Sequence, residues 1–321
     1  MSDDYLPTAS WQTLKERARI VRSIRQFFDD AGYTEVQTPL LSHDTVVDAH
    51  IDPFKLDTEH GRLFLQTSPE FAMKRLLVAG ADAIYQICPA FRRGEVGQWH
   101  NPEFAMLEWY RVGDTYHDQM TLTESLFRRV FESASGKPFN RITYDSAFER
   151  AIGKSALTKS AESLIRIARE HGVSLPASLD RENRDDLLNV LLAELIEPTL
   201  GQNQPEFLFD YPATQSALAR VRNGDPPVAE RFELYFKGIE LCNGYQELTD
   251  PDELARRNSV QNGLRAANDS EALPEASRLL RAMQHGLPEC SGVALGLDRL
   301  IALACDALRL DQVWTFPVSR S

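Results

Sequence analysis

The chain has 321 residues and a formal net charge of −12, with 35 Lys or Arg against 47 Asp or Glu. Its 43% apolar and 26% charged residues describe an ordinary globular chain, long enough to bury a full core in one large domain or two small ones. The acidic balance speaks against a general grip on nucleic-acid phosphates, and no apolar run approaches the ~20 residues of a membrane span. Cys88, Cys242, Cys290 and Cys305 form no CxxC pair, and the acidic Met-Ser-Asp-Asp start is unlike a secretory leader. Neither zinc nor a disulfide scaffold is expected, and a reduced, cytoplasmic setting is.

Leu14, Ala18, Val21, Ile24 and Phe28 recur at three- and four-residue steps, which predicts an amphipathic helix from Trp11 to Ala31, ended by Gly32. Lys15, Arg17, Arg22 and Arg25 fall on its solvated face. Short β-rich segments follow, broken by Pro39, Pro53 and Gly61. Thr67-Ser68-Pro69 then opens a helix through Val78, with proline in the first turn and Glu70 near the positive amino end. A β-rich block from Ala83 to Val112 precedes a helix from about Asp118 to Ala134. Residues 145–200 read as mostly helical, with breaks at Gly153, Gly172 and Pro176. A second β-rich block spans Phe207 to Leu248, and two polar helices are expected near 250–267 and 274–285. The chain closes with a Gly-rich strand-to-helix passage, Ser291 to Ala304. Strands and helices thus come in clusters, which favours an α+β fold with an antiparallel sheet. No GxGxxG or GxxxxGK[ST] loop is present, so any nucleotide site must be built another way.

Three constellations carry chemical potential. The first runs from Phe91-Arg92-Arg93-Gly94-Glu95 through His100-Asn101-Pro102-Glu103-Phe104 to Glu108-Trp109-Tyr110. Phe104, Glu108 and Tyr110 stand at even steps and share a sheet face. Arginine beside an aromatic and a carboxylate suits a phosphate and a flat base, although a surface ion-pair network uses the same residues. In the second, Glu230 to Glu247, Lys237-Gly238 is a tight hairpin turn that sets Tyr235 against Glu240 and Glu233 against Cys242. Glu233 and Glu240 then lie diagonally on one face, as two oxygen donors for magnesium or as plain edge carboxylates. Asn243, Tyr245 and Glu247 are expected on the alternate face unless Gly244 forms a bulge. In the third, Gly292 and Gly296 allow close approach of a ligand or of backbone, before Asp298-Arg299 starts a helix.

Together these segments resemble the three motifs of class II aminoacyl-tRNA synthetases, the lysyl type in particular. Gly32 through Pro39-Leu40-Leu41 is similar to motif 1, Phe91-Arg92 through Glu108 to motif 2, and Gly292 through Arg299 to motif 3. On that resemblance the chain is expected to open at the catalytic domain's first helix, without the anticodon-reading OB-fold. Ser-Pro-Glu, Leu-Glu-Trp-Tyr-Arg and Ser-Gly-Val-Ala-Leu-Gly-x-Asp-Arg resemble the truncated paralogues that act as elongation factor P–lysine ligases.

The resemblance implies a single catalytic domain over 1–321, a six- to seven-stranded antiparallel sheet flanked by helices, with a mainly helical insertion at about 145–205. It implies ATP as co-substrate, with Arg92 on the α-phosphate, His100 and Asn101 near the adenine and outer phosphates, and Phe104 and Arg299 sandwiching the base. Arg93, Gly94, Glu95, Leu241 and Gly296 belong to the same nucleotide site, and Glu233 and Glu240 would bind magnesium. Ser68, Glu70, Tyr110, Asn243, Glu247 and Ala294 would line a pocket for lysine or (R)-β-lysine.

Arg93-Gly94-Glu95 departs from the Asn-Glu that follows the motif 2 arginine in lysyl-tRNA synthetases, and Ala294 stands where those enzymes have glycine. One added methyl shifts amino-acid choice by ~1–3 kcal/mol at most, and it is expected to favour (R)-β-lysine. The implied product is an amide on a lysine of elongation factor P, made by a homodimer. The alternatives are acylation of tRNA, which the acidic balance and missing anticodon module disfavour, a non-catalytic amino-acid-binding paralogue, and a small-molecule amide ligase.

Overall fold

Ser10 caps the first helix, Trp11–Asp30, its hydroxyl accepting the Thr13 N–H at 3.0 Å in the computed structural model, which describes residues 5–131, 136–275 and 277–321. The buried stripe is Ile20, Ile24 and Phe28. The expected stripe is therefore corrected at Ala18, which is exposed. Phe28 stacks on Tyr85 at 4.6 Å and lies 5.3 Å from Trp109, all three fully buried.

The chain divides into two compact units, Met1–Thr115 with Thr121–Ser135 and Leu248–Ser321, and Tyr116–Met120 with Gly136–Glu247. In the first, the strand Glu103–Val112 lies between Ala83–Phe91 and Cys290–Gly296, antiparallel to both. The two-residue strand Thr34–Glu35 pairs with Ala83–Phe91 in parallel. This edge departs from the antiparallel expectation because the chain crosses over through the helix Glu70–Val78 before it returns, and a crossover delivers a parallel strand. Leu41–Ser42, Gly61–Leu65 and Lys55–Thr58 form a separate small sheet. The helices Pro251–Ala267, Arg278–Met283 and Leu297–Ala304 complete the unit. The first and last follow expectation. The second is shorter than the expected 274–285, and position 276 lies outside the described residues.

In the second unit, Val228–Phe236 lies between Ile239–Gln246 and Glu206–Pro212, antiparallel to both, and also pairs with Val221–Arg222. Asn140–Thr143 adds a parallel pairing to Glu206–Pro212. The expected helical stretch resolves into Tyr144–Ile152, Ala161–Glu170 and Arg184–Leu191, followed by a single π-helical turn, Leu192–Ile196. Their buried residues, among them Phe148, Leu164 and Leu187, form one core with Leu208 and Tyr211 of the sheet. The helix Tyr116–Val130 starts two residues before the expected Asp118, and its expected end at Ala134 lies outside the described residues. The fold is thus α+β with mixed, mostly antiparallel pairing. Among the described residues no helix is long and apolar enough to cross a membrane.

Candidate active site

Strand register builds the first part of the site. Gln86, Glu108 and Ala294 stand opposite one another across three neighbouring strands. Tyr110 is opposite Gly292, and Gly296 is opposite Met106, so the same face carries Tyr110, Ala294 and Gly296. Glu108 is the centre of this face and only 1% exposed. Its Oε1 accepts the Tyr110 hydroxyl and its Oε2 the Ser68 hydroxyl, each at 2.7 Å. Ser68 Oγ in turn accepts the Glu70 N–H at 3.0 Å, which ties the helix start to the strand. One turn along, Lys74 Nζ lies 2.5 Å from Glu70 Oε1, with both side chains buried.

Burial and then the charge of Glu70 push Glu108 up to about 8, against the pull of Tyr110, Ser68 and Lys74. A buried carboxylate held near neutrality is a receptor for a cation, since an arriving ammonium restores its charge. Sequence reasoning placed Glu108 on the Phe104–Tyr110 face but gave it no role. The signal was that even spacing, and it lacked only the partners from Ser68 and Tyr110.

The loop after Phe91 supplies a second cluster in the same unit. The Arg92 guanidinium lies over the Phe104 ring at 5.1 Å and 3.7 Å from Glu95. Its Nε–H is buried and meets no acceptor among the described residues. Gly94 sits at φ +85°, where a side chain would be strained, and the Arg93 N–H donates to Asp52 O at 2.8 Å. Arg299 Nη2 is 2.8 Å from His100 Nε2, and its Nε–H donates to Trp99 O at 3.2 Å. Burial and the charge of Arg299 hold the His100 imidazolium form down, so the ring is a neutral acceptor.

One expectation changes here, at Arg17, and two contacts add detail to the loop. Phe104 is faced by Arg92, while Arg299 is engaged by the loop. The Asn101 side chain builds that loop, donating to Glu103 O at 2.6 Å and accepting the Val318 N–H at 3.2 Å. Arg17 leaves the solvated face to pair with Asp298 at 2.6 Å, and Asp298 also accepts the Ala105 N–H at 2.7 Å. Burial pushes the Asp298 carboxyl up, with Arg17 opposing. Asp298 is thus the joint that fixes the start of the Arg299 helix against the Phe104 strand.

In the second unit the Lys237-Gly238 turn has both residues at positive φ, 54° and 73°, the type I′ geometry that suits a two-residue hairpin. Tyr235 pairs with Glu240 as expected, but the register then shifts. Leu241 is an extra residue, so Leu234 meets Cys242 and Glu233 meets Asn243. The bulge lies at Leu241 and not at Gly244, and it brings Asn243 onto the Glu233 face. Asn243 Nδ2 is 3.4 Å from Glu233 Oε1, and its Oδ1 is buried without a donor among the described residues. Glu233 also accepts Arg231 Nη2 at 2.5 Å, Tyr211 OH at 2.5 Å and Tyr235 OH at 2.6 Å. Glu247 is 1% exposed at the strand's end and bridged to Ala219.

A magnesium ion fits this ribbon only in part. Both Glu233 oxygens are occupied by strong donors, whereas Glu240 is half-buried beside Tyr235 on the same face. Among the described residues no three acidic, His or Cys side chains converge as a metal cage. One carboxylate supplemented by substrate phosphates is the ordinary magnesium arrangement.

The motif 2 loop, the glycine-bearing strand and the buried carboxylate on its neighbour define a class II synthetase catalytic fold. The family model for class II tRNA synthetases of the D, K and N type matches residues 4–320, and the chain belongs to that family. It is 44% identical to the elongation factor P–(R)-β-lysine ligase of Vibrio cholerae serotype O1, over 100% of this chain and 99% of that protein. The protein of the same name from Pseudoalteromonas translucida is 44% identical over 99% of this chain and 98% of its own. That from Pectobacterium carotovorum is 42% identical over 98% of each.

Proposed function

We propose that this protein activates (R)-β-lysine, or lysine, with ATP as an aminoacyl-adenylate and transfers it to the ε-amine of a lysine of translation elongation factor P. The observation that carries the reading is Glu108, a buried carboxylate ringed by Ser68, Tyr110 and Glu70 on the face that bears Ala294. Such a site rewards a long side chain that ends in an ammonium, because an unpaired charge in either partner is costly. The names and full-length similarity of the relatives support the same assignment.

The chemistry asks the protein mainly to position reactants and to stabilise charge. The amino-acid carboxylate attacks the α-phosphate of ATP, forming the mixed anhydride and releasing pyrophosphate. Arg92, with a buried Nε–H to spare, is assigned to the α-phosphate. Arg299 and His100, held 2.8 Å apart, are assigned to the nucleotide, with Arg93, Gly94, Glu95, Asn101, Phe104, Leu241 and Gly296 lining it. Asn243 and Glu247 are assigned to the amino acid. Magnesium would be held by Glu240 and would neutralise phosphate charge. In the second step the acceptor amine, with an ordinary pKa of ~10.4, attacks the acyl carbon after losing a proton, and AMP leaves. We place the reaction in the cytoplasm and assign the enzyme as a homodimer through the motif 1 segment, where Leu41 is 43% exposed. Incubating the enzyme with ATP and labelled (R)-β-lysine in the presence of elongation factor P or of tRNA tests the assignment. Label on the protein supports it, and label on tRNA alone refutes it.

A further inference from the structure

The mechanism so far leaves the buried charge of Lys74 unused. Lys74 is 2% exposed and lies one helical turn beyond Glu70, Nζ to Oε1 2.5 Å. A fixed ammonium beside a receptor for ammonium groups opposes the substrate's own charge, so it must supply something else. Without it, the charge of Glu70 would bear on buried Glu108 with no opposing charge from the same helix. With it, one Glu70 oxygen is occupied, and Oε2 is left without a protein partner among the described residues.

We propose, on the function assigned above, that Lys74 is a positioning residue for amino-acid recognition. It pins one oxygen of Glu70 and balances its charge, so that Glu70 Oε2 and Glu108 act as separate receptors for the ammonium groups of the substrate. Charged and titratable groups bear on Glu108 from the helix, from its own strand and from the neighbouring strand. Glu70 and Lys74 come from the helix, Tyr110 from the same strand, and Cys88 from the neighbouring strand. The Cys88 thiol is pushed up to about 12 by burial and the charge of Glu108, and stays protonated. The strand on the other side presents Gly292, Ala294 and Gly296 to this face, none of them charged.

The test is amino-acid-dependent ATP–pyrophosphate exchange, with kcat/KM for (R)-β-lysine and for lysine followed against pH. The acid limb of that profile reports the free enzyme, and wild type is expected to lose activity as pH falls through about 8. Lys74→Met should move the limb up by about one unit, roughly a tenfold loss near neutrality that recovers on the alkaline side. Lys74→Met/Glu70→Gln should return the limb to the wild-type position or below it, at a lower plateau, because Glu70 raises Glu108 more than Lys74 lowers it. Loss of packing alone would depress the plateau and leave the midpoint in place. An unmoved limb in Lys74→Met, or the same upward shift in both variants, overturns the proposal. Should Lys74→Met fail to fold, the double variant decides by itself, a limb above wild type overturning the inference. A wild-type enzyme with no amino-acid-dependent exchange refutes the assigned function first, and this proposal with it.

Discussion

Replacing Glu108 by Gln separates recognition from stability. The substitution keeps the shape and lets Tyr110 and Ser68 keep hydrogen-bonded partners, since a hydroxyl can rotate from donor to acceptor. It removes the charge assigned above to the substrate ammonium. Deleting one partner of a buried pair costs about 3–5 kcal/mol, or between two and nearly four powers of ten in kcat/KM at ~1.36 kcal/mol per decade. Folding should respond in the opposite sense. Glu108 goes from an ordinary 4.5 to about 8 in the fold, so the folded state favours the protonated form. That contribution is fully present below pH ~4.5 and is lost as pH rises through about 8, worth at most ~5 kcal/mol for a 3.5-unit difference. Glu108→Gln should therefore match wild type in denaturant melts under acid conditions and exceed it under alkaline ones. Exchange assays and paired urea titrations across pH read both effects. Activity within about fivefold of wild type, or a stability difference that does not grow with pH, would refute the reasoning.

Ala294 stands directly opposite Glu108, so Ala294→Gly should shift preference from (R)-β-lysine toward lysine by up to about 100-fold, read as a ratio of kcat/KM values. An unchanged ratio removes Ala294 from selectivity. Glu240→Gln should raise the magnesium concentration needed for half-maximal exchange several-fold while leaving the amino-acid KM near wild type, and equal magnesium curves would remove Glu240 from the ion. Gly244→Ala would set a Cβ 2.4 Å from the Phe232 ring, which is fully buried. Overpacking of about 1–3 kcal/mol should lower Tm by several degrees in a thermal melt, and an unchanged Tm would show that the ring yields freely.

Periodicity and turn chemistry made much of this architecture legible in advance. The three-and-four spacing around Ile24 and Phe28 gave away the first helix, Ser-Pro-Glu the second, and Lys237-Gly238 the hairpin. The bulge at Leu241 was hidden, because register depends on what the ribbon packs against as well as on its turn. Arg17 was misplaced for a related reason. Helical spacing marks which residues share a face but not that Asp298, far along the chain, would be brought to meet one of them. The nucleotide residues were named from motif strings, yet neither the Arg92–Phe104 contact nor the use of Asn101 in loop building is written locally. Glu108 was visible as a position, but its burial and its bond from Ser68 on another element were not.

The central claim is acyl transfer to a polypeptide, and intact-mass and peptide mass spectrometry of elongation factor P tests it directly. After incubation with the enzyme, ATP, magnesium and (R)-β-lysine, the account predicts one added β-lysyl group on a single lysine and no acylated tRNA in a parallel reaction. An unmodified elongation factor P beside charged tRNA would contradict it.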